Sequence, residues 1–332
     1  MNETEVKNEQ MIEYPNQTFF SDKSGIPKKE ENQQKDSYES RSMEFTGKSS
    51  NRKMDSSVKY DIHFTLGGGT FNNIISFLSE VEYTIALCFR KKEVCMISIE
   101  GGNSHGAFAK FQNIEFSYYS IDSLKDEKDE KWILIDTSVI TDELSINEEK
   151  PVDMYIDTIE KNRFYIINGK EKVEKQLNTM STSDGEDALV KKHKGFESML
   201  TRLTGDEKYQ KTVINYAPLT GLMKSLLKKT DKSKDVTTLC SLYITKYELD
   251  WRVGDEVKQS SIMLSGEDIV VYPLKDDVFK FSLKFFNKFG KLKLNNSVEM
   301  YICGQMPIVL LSKLGGGGVR IWFLLAPRTD ND

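Results

Sequence analysis

Seven lysines stand where they could grip a polyanion. Lys224, Lys228 and Lys229 fall in the stretch LTGLMKSLLKK, and Lys280, Lys284, Lys288 and Lys291 in DDVFKFSLKFFNKFGK. On a helix, residues three and four apart share a face, so each set forms a basic stripe opposite an apolar one. Like charges at that spacing repel by about 0.2–0.5 kcal/mol per pair. A phosphate backbone would remove the repulsion and bind without reading sequence. The plain alternative is a solvated lysine face, and the chain as a whole is acidic, with a formal net charge of −5 over 332 residues.

No other constellation offers chemistry. His63, His105 and His193 form no metal-like pair, and Cys88, Cys95, Cys240 and Cys303 show no CxxC spacing. Reduced thiols in an intracellular protein are expected, with no metal and no cofactor. No nucleophile stands at a recognisable distance from a base, so an enzyme is not expected. The acid pairs Asp276-Asp277 and Glu148-Glu149 suit helix starts or loops. Gly315 to Gly318 are followed by Val319-Arg320-Ile321-Trp322-Phe323. A phosphate loop needs Lys and Ser or Thr there, so this run reads as a hairpin turn into a strand. The longest apolar run, Ile321 to Ala326, falls far short of the roughly 20 residues that span a bilayer.

The elements that must position these residues come as a repeated unit. Four times a short strand runs into a helix, and alternating strands follow: YDIHFTLGGG–TFNNIISFLSE, KWILID–TSVITDELS, KTVINYAP–LTGLMKSLLKK and EDIVVYPLK–DDVFKFSLKFFNKF. Phe71, Ile74, Ile75 and Leu78 make the core stripe of the first helix. Two similar halves of two units each imply an α+β fold, with helices on one face of antiparallel sheet. The expected boundaries are a polar, disordered tail over 1–57, a first domain over 58–180, a connector over 181–210, a second domain over 211–328 and a short tail over 329–332. Within the first tail, Tyr14 to Phe20 (YPNQTFF) reads either as a chance aromatic pair or as a short docking motif. A connector of this length without its own element is usually functional.

The closing stretch VEMYICGQMPIVLLSKLGGGGVRIWFLLAPR resembles the end of the proliferating cell nuclear antigen family, the sliding DNA clamps. That family ends on a strand, a Pro-hydrophobic strand, a hairpin and an aromatic strand closing on Leu-Ala-Pro-Lys or Leu-Ala-Pro-Arg. SLKFFNKF resembles its last helix, and ISIEGGNSHGAFAKF a strand-loop-strand with Ser104-His105.

The resemblance implies a two-domain clamp fold and a homotrimeric ring. Helices would line a hole for double-stranded DNA. It implies a processivity factor without catalysis, loaded by a clamp loader, tethering a DNA polymerase and other proteins through short aromatic peptides, and needing no membrane. Partner contacts would fall on His105, Met199, Leu200, Leu203, Pro307, Ala326, Pro327 and Arg328. Subunits would join through edge strands at Arg163, Phe164 and Ile166 and at Lys258, Ile262 and Leu264. One departure is that the first two helices lack lysine on their polar faces: Asn72, Asn73, Ser76 and Ser79 occupy one, Asp142 and Glu143 the other. A clamp-derived scaffold or transcription factor that does not encircle DNA is therefore the second reading. Scarce alanine beside abundant Lys, Asn, Ile and Ser points to an AT-rich genome, and with the divergence to a large DNA virus or a protist. The expected location is the nucleus, or a cytoplasmic replication site if the source is viral.

Overall fold

The computed structural model describes residues 60–122, 124–159, 162–177, 188–229, 239–254, 259–271, 273, 275–294, 297–304, 306–314 and 317–328. The tails expected over 1–57 and 329–332, the Tyr14 to Phe20 stretch and Lys258 lie outside the described residues. Among the described residues, no helix is long and apolar enough to cross a membrane.

The repeated unit is present four times. The first is β1 (Ile62–Gly67), α1 (Gly68–Val81), β2 (Thr84–Arg90), β3 (Glu93–Ile99), β4 (His105–Gln112) and β5 (Tyr118–Ile121). The second is β6 (Lys131–Asp136), α2 (Ser138–Glu143), β7 (Pro151–Asp157), β8 (Arg163–Asn168) and β9 (Glu171–Gln176). After α3 (Ala188–Gly205) the third runs β10 (Gln210–Asn215), α4 (Tyr216–Lys229), β11 (Leu239–Ile244), β12 (Glu248–Gly254), β13 (Gln259–Ser265) and β14 (Ile269–Val271). The fourth is β15 (Asp277–Ser282), α5 (Leu283–Phe289), β16 (Ser297–Ile302), β17 (Ile308–Leu314) and β18 (Val319–Leu325).

Local chemistry sets these elements. Phe71, Ile74, Ile75 and Leu78 are buried along α1, as their spacing predicts. At Gly68, the first residue of that helix, only hydrogen fits: a Cβ would collide with the carbonyl oxygens of Lys150 and Asn147. In the hairpin between β17 and β18, Gly317 adopts φ 104°, which a side chain would resist. Beside it, a Cβ on Gly318 would collide with the Glu115 carboxylate.

Two elements differ from the sequence expectation. The fourth helix was expected from Asp276, but Asp277 to Ser282 form a strand paired with β11. Phe279 and Phe281 are buried while Lys280 is half-buried and Val278 exposed. That is period two, and it outweighed the lysine spacing. The connector also has an element of its own, the 18-residue helix α3.

The strands form three antiparallel sheets, in orders β5-β1-β7-β8-β9, β14-β10-β16-β17-β18-β4-β3-β2-β6 and β13-β12-β11-β15. The nine-stranded sheet joins the halves where β18 pairs with β4, from Val319 opposite Phe111 to Leu325 opposite His105. The apolar end of the chain is therefore the seam of the molecule, buried at Val319, Ile321, Phe323 and Leu325. On one face, α2, α1, α5 and α4 lie side by side in a row. The main core fills the space between that row and the sheets.

The subunit-edge expectation at Arg163, Phe164 and Ile166 needs correction. These residues lie on β8, which pairs with β7 on one side and β9 on the other. Among the described strands, the edges of that sheet are β5 and β9. Gly169, with φ 65°, turns the chain back into one more strand, and that turn is what covers β8. Ile262 and Leu264 do lie on an edge, since among the described strands β13 pairs only with β12.

Candidate functional site

The lysines are spread along the helix row. Lys224 and Lys228 are exposed on α4, and Lys284 is exposed on α5. Lys229 ends α4, and its side chain lies outside the described residues. Lys280 is not on the helix at all, being on β15 opposite Ser241. Lys291 follows the end of α5 and sits 3.6 Å from Glu80. Lys288 is half-buried, its ammonium 5.8 Å over the Phe285 ring. Burial lowers its pKa, opposed by Glu80 and Glu100. The four-lysine stripe expected along one helix therefore reduces to Lys284 and Lys288 on α5. The exposed lysines of the row, with the segment after α5, are Lys224, Lys228, Lys284, Lys291 and Lys293 among the described residues.

The first half presents amides in place of lysines. Asn73 Nδ2 donates to Lys293 O at 2.8 Å, and Lys293 N donates to Asn73 Oδ1 at 2.7 Å. Asn72 Nδ2 donates to Glu148 Oε1 at 2.9 Å, and Lys293 Nζ reaches the same oxygen at 3.0 Å. These side chains tie α1 to the segment after α5. Asp142 and Glu143 close α2.

The opposite face of the nine-stranded sheet carries α3. Strand alternation places Gly106 and Phe108 of β4, Trp322 and Leu324 of β18, and Cys88 and Arg90 of β2 on this outer face. Phe108 and Trp322 pack at 5.0 Å. The Phe196 ring of α3 covers Gly106 so closely that a Cβ there would lie 2.6 Å from Cζ. Leu200 and Leu203 are buried on the same side of α3, and Met199 is half-buried. A charge cluster fastens the helix at one end. Arg90 donates from Nη1 and Nη2 to the two Glu197 oxygens, each at 2.7 Å. It also donates to Glu93 at 2.7 Å and Glu130 at 3.2 Å, and Lys194 Nζ lies 2.5 Å from Glu130. The paired carboxylates raise the Arg90 pKa, Glu197 most, so the guanidinium stays charged.

The expected partner residues are thus divided. Leu200 and Leu203 are already covered by the chain's own sheet. Pro307 is buried at the start of β17. Ala326, Pro327 and Arg328 are half-buried, and Ala326 N donates to Ser104 O at 2.9 Å and Arg328 N to Lys280 O at 2.8 Å. The end of the described chain bridges β4 and β15, and these two N–H groups are engaged. Spacing in HKGFESMLTRL carried the missed signal: His193, Phe196, Leu200 and Leu203 are all buried. Gly195 and the loop-like STSDGED before it hid the helix.

His105 requires a further correction. It was expected beside the connector, but it points to the other face of the sheet, 1% exposed and stacked on Phe285 at 4.2 Å. Gly106, its neighbour in β4, takes the connector side, as alternation demands. Ser104 Oγ lies 2.9 Å from His105 Nδ1 and donates to Glu100 Oε2 at 3.1 Å. That arrangement assigns the proton to Nδ1 and leaves Nε2 buried without a partner. Burial, then the Lys288 charge, pushes the His105 pKa down to about 4. The unfolded chain takes up this proton near pH 6.5 while the folded one does not, so stability falls as pH drops from 6.5 towards 4. Between pH 7 and 5 this group should cost about 2 kcal/mol. Urea unfolding at the two pH values should show that loss in the wild type, and a drop smaller by that amount in His105→Phe. Equal drops would place the titration elsewhere.

No protein-family model matches the sequence, and no curated protein matches it. Solved structures do resemble it. A. fulgidus PCNA with the C-terminal region of FEN-1 bound superposes with a TM-score of 0.63 at 14% identity, over 82% of this chain and 100% of that one. PCNA from Entamoeba histolytica gives 0.63 at 13% identity, over 82% and 100%. The PCNA2–PCNA3 complex from Sulfolobus tokodaii gives 0.62 at 15% identity, over 80% and 99%. With four strand-helix-strand units, a helix row on one face and these superpositions, the chain has the two-domain α+β fold of the PCNA sliding clamps.

Proposed function

We propose that this chain is a divergent member of the PCNA family and acts as a sliding clamp. Three copies would close a ring around double-stranded DNA and tether a polymerase and other DNA enzymes without doing chemistry. The observation that carries the ring is a symmetry between joints. In the second half β18 is the last strand of its sheet segment, and in the first half β9 holds the same place. Likewise β13 corresponds to β4. Within the chain β18 and β4 pair; β9 and β13, their equivalents, are edges that no further described strand covers. Unpaired edges invite another chain, and a β9–β13 joint would repeat the internal seam between subunits. Two such seams per subunit build a closed ring of like joints.

In that ring the helix row would face the hole, with Lys224, Lys228 and Lys284 on phosphate and Lys288 and Lys291 behind them. Partner peptides would dock on the outer face, near α3 and β18. The structural relatives fit this reading, since one PCNA is bound to the C-terminal region of FEN-1 and another is a PCNA2–PCNA3 complex. A clamp loader and a site of action in the nucleus, or at a cytoplasmic viral replication site, belong to the same proposal. Light scattering on the purified chain tests the assembly. The mass of three chains is expected, and a monomer at every concentration would contradict it.

A second reading, a scaffold or transcription factor that does not encircle DNA, has one observation in its favour. The α1 face is Asn72, Asn73 and Ser76 with Glu80, so half of the row offers little to phosphate.

A further inference from the structure

The helix α3 is held by its contacts and not by its own propensity. Gly195 stands in its middle with nothing near the position a Cβ would occupy. Packing therefore gives no reason for glycine, which weakens a helix by about 1 kcal/mol relative to alanine. Thr201 and Thr204 turn their hydroxyls back on the carbonyls of Glu197 and Leu200, at 3.1 and 3.0 Å, a habit that favours other conformations over helix. Against this stand the buried stripe of His193, Phe196, Leu200 and Leu203 and the Glu197–Arg90 fork. The seat for Phe196 exists only because residue 106 is glycine. If α3 leaves, Lys194 and Glu197 leave together. Arg90 and Lys110 then remain with Glu93 and Glu130, so the uncovered face keeps a balanced charge.

We infer that α3 is an intramolecular competitor for the partner-docking face: Phe196 fills the seat over Gly106, Glu197 takes the Arg90 fork, and a partner peptide binds by displacing the helix. This rests on the reading that partners dock on the outer face. The occupant that fits is a peptide with an aromatic anchor followed by a carboxylate, the chemistry α3 itself supplies. A firm grip by α3 lowers apparent affinity by the fraction of time the face is covered, and a loose one lets partners in.

The probe is a fluorescent synthetic peptide of residues 188–205, which carries that aromatic and that acid. It is titrated against the full chain and against Gly195→Ala, Glu197→Gln and Phe196→Ser. Gly195→Ala should bind about five-fold more weakly than wild type, because alanine firms the covering helix. Glu197→Gln and Phe196→Ser should each bind at least ten-fold more tightly, since the cover is loosened. Hydrogen exchange over 190–204 of the chain should quicken in Glu197→Gln, and in wild type on adding peptide. Glu197→Gln preserves the packed stripe, so the test survives if Phe196→Ser folds poorly. Equal affinity in all four chains would overturn the inference and leave docking on an uncovered surface standing. Absence of binding to any of them would overturn both.

Discussion

Lys172→Pro is expected to leave this chain monomeric. Gly169 and Lys170 form a two-residue turn, with Asn168 opposite Glu171. The closing pair of such a hairpin exchanges both its hydrogen bonds, and alternate pairs do so thereafter. The N–H groups of Glu171, Val173 and Lys175 therefore point to β8, and Leu177 continues the set by donating to Asn162 O at 2.8 Å. Those of Lys172 and Glu174 point away, to an edge that no other described strand covers. Proline at 172 deletes one outward N–H and spares the β8–β9 ladder, a placement edge strands tolerate. A Lys172→Ala control should still give three chains per particle. Proline at Ile166 would instead break an interior strand and report only on folding. Sedimentation of Lys172→Pro at the mass of three chains would remove β9 from the joint.

The second large effect concerns DNA. Lys224→Ala, Lys228→Ala and Lys284→Ala combined should weaken binding to all duplex sequences alike. Each neutralised phosphate adds about 0.9 to the slope of log K against log salt. Three lost contacts per subunit should therefore flatten the slope by about 2.7 for each subunit engaged at once. All three are exposed, so their loss should cost little stability. Asn72→Ala should leave the slope as it was, because that amide is spent on Glu148. An unchanged slope in the triple variant would mean that the lysines face water, and the scaffold reading would gain.

Much of this was legible in the sequence because the signals were local. The stripe of Phe71, Ile74, Ile75 and Leu78 predicts α1, and the glycine run with its aromatic strand predicts the β17–β18 hairpin; both stand in the structure. The lysines misled in one place. Spacing of four suggested a helix from Asp276, while burial of Phe279 and Phe281 made a strand of the first half. Which strand is an edge was not legible, because it depends on whether the chain turns back once more. At Gly169 it does, and β8 becomes an interior strand. The face of His105 was hidden for a related reason. A shift of one residue in register exchanges the two faces of a strand, and only the pairing of Leu325 with His105 settles it. The Arg90–Glu197 fork joins residues 107 apart in the chain, and no pattern within either stretch announces it.

Whether the protein encloses DNA is decided by its retention on circular against linear DNA. Loaded rings on a nicked circular plasmid should stay bound through a wash at high salt, because topology and not charge holds them. Linearising that plasmid should release them within minutes, and blocking both ends should restore retention. Loss from circle and line at the same rate would contradict encirclement and leave a protein that touches DNA, if at all, from one side.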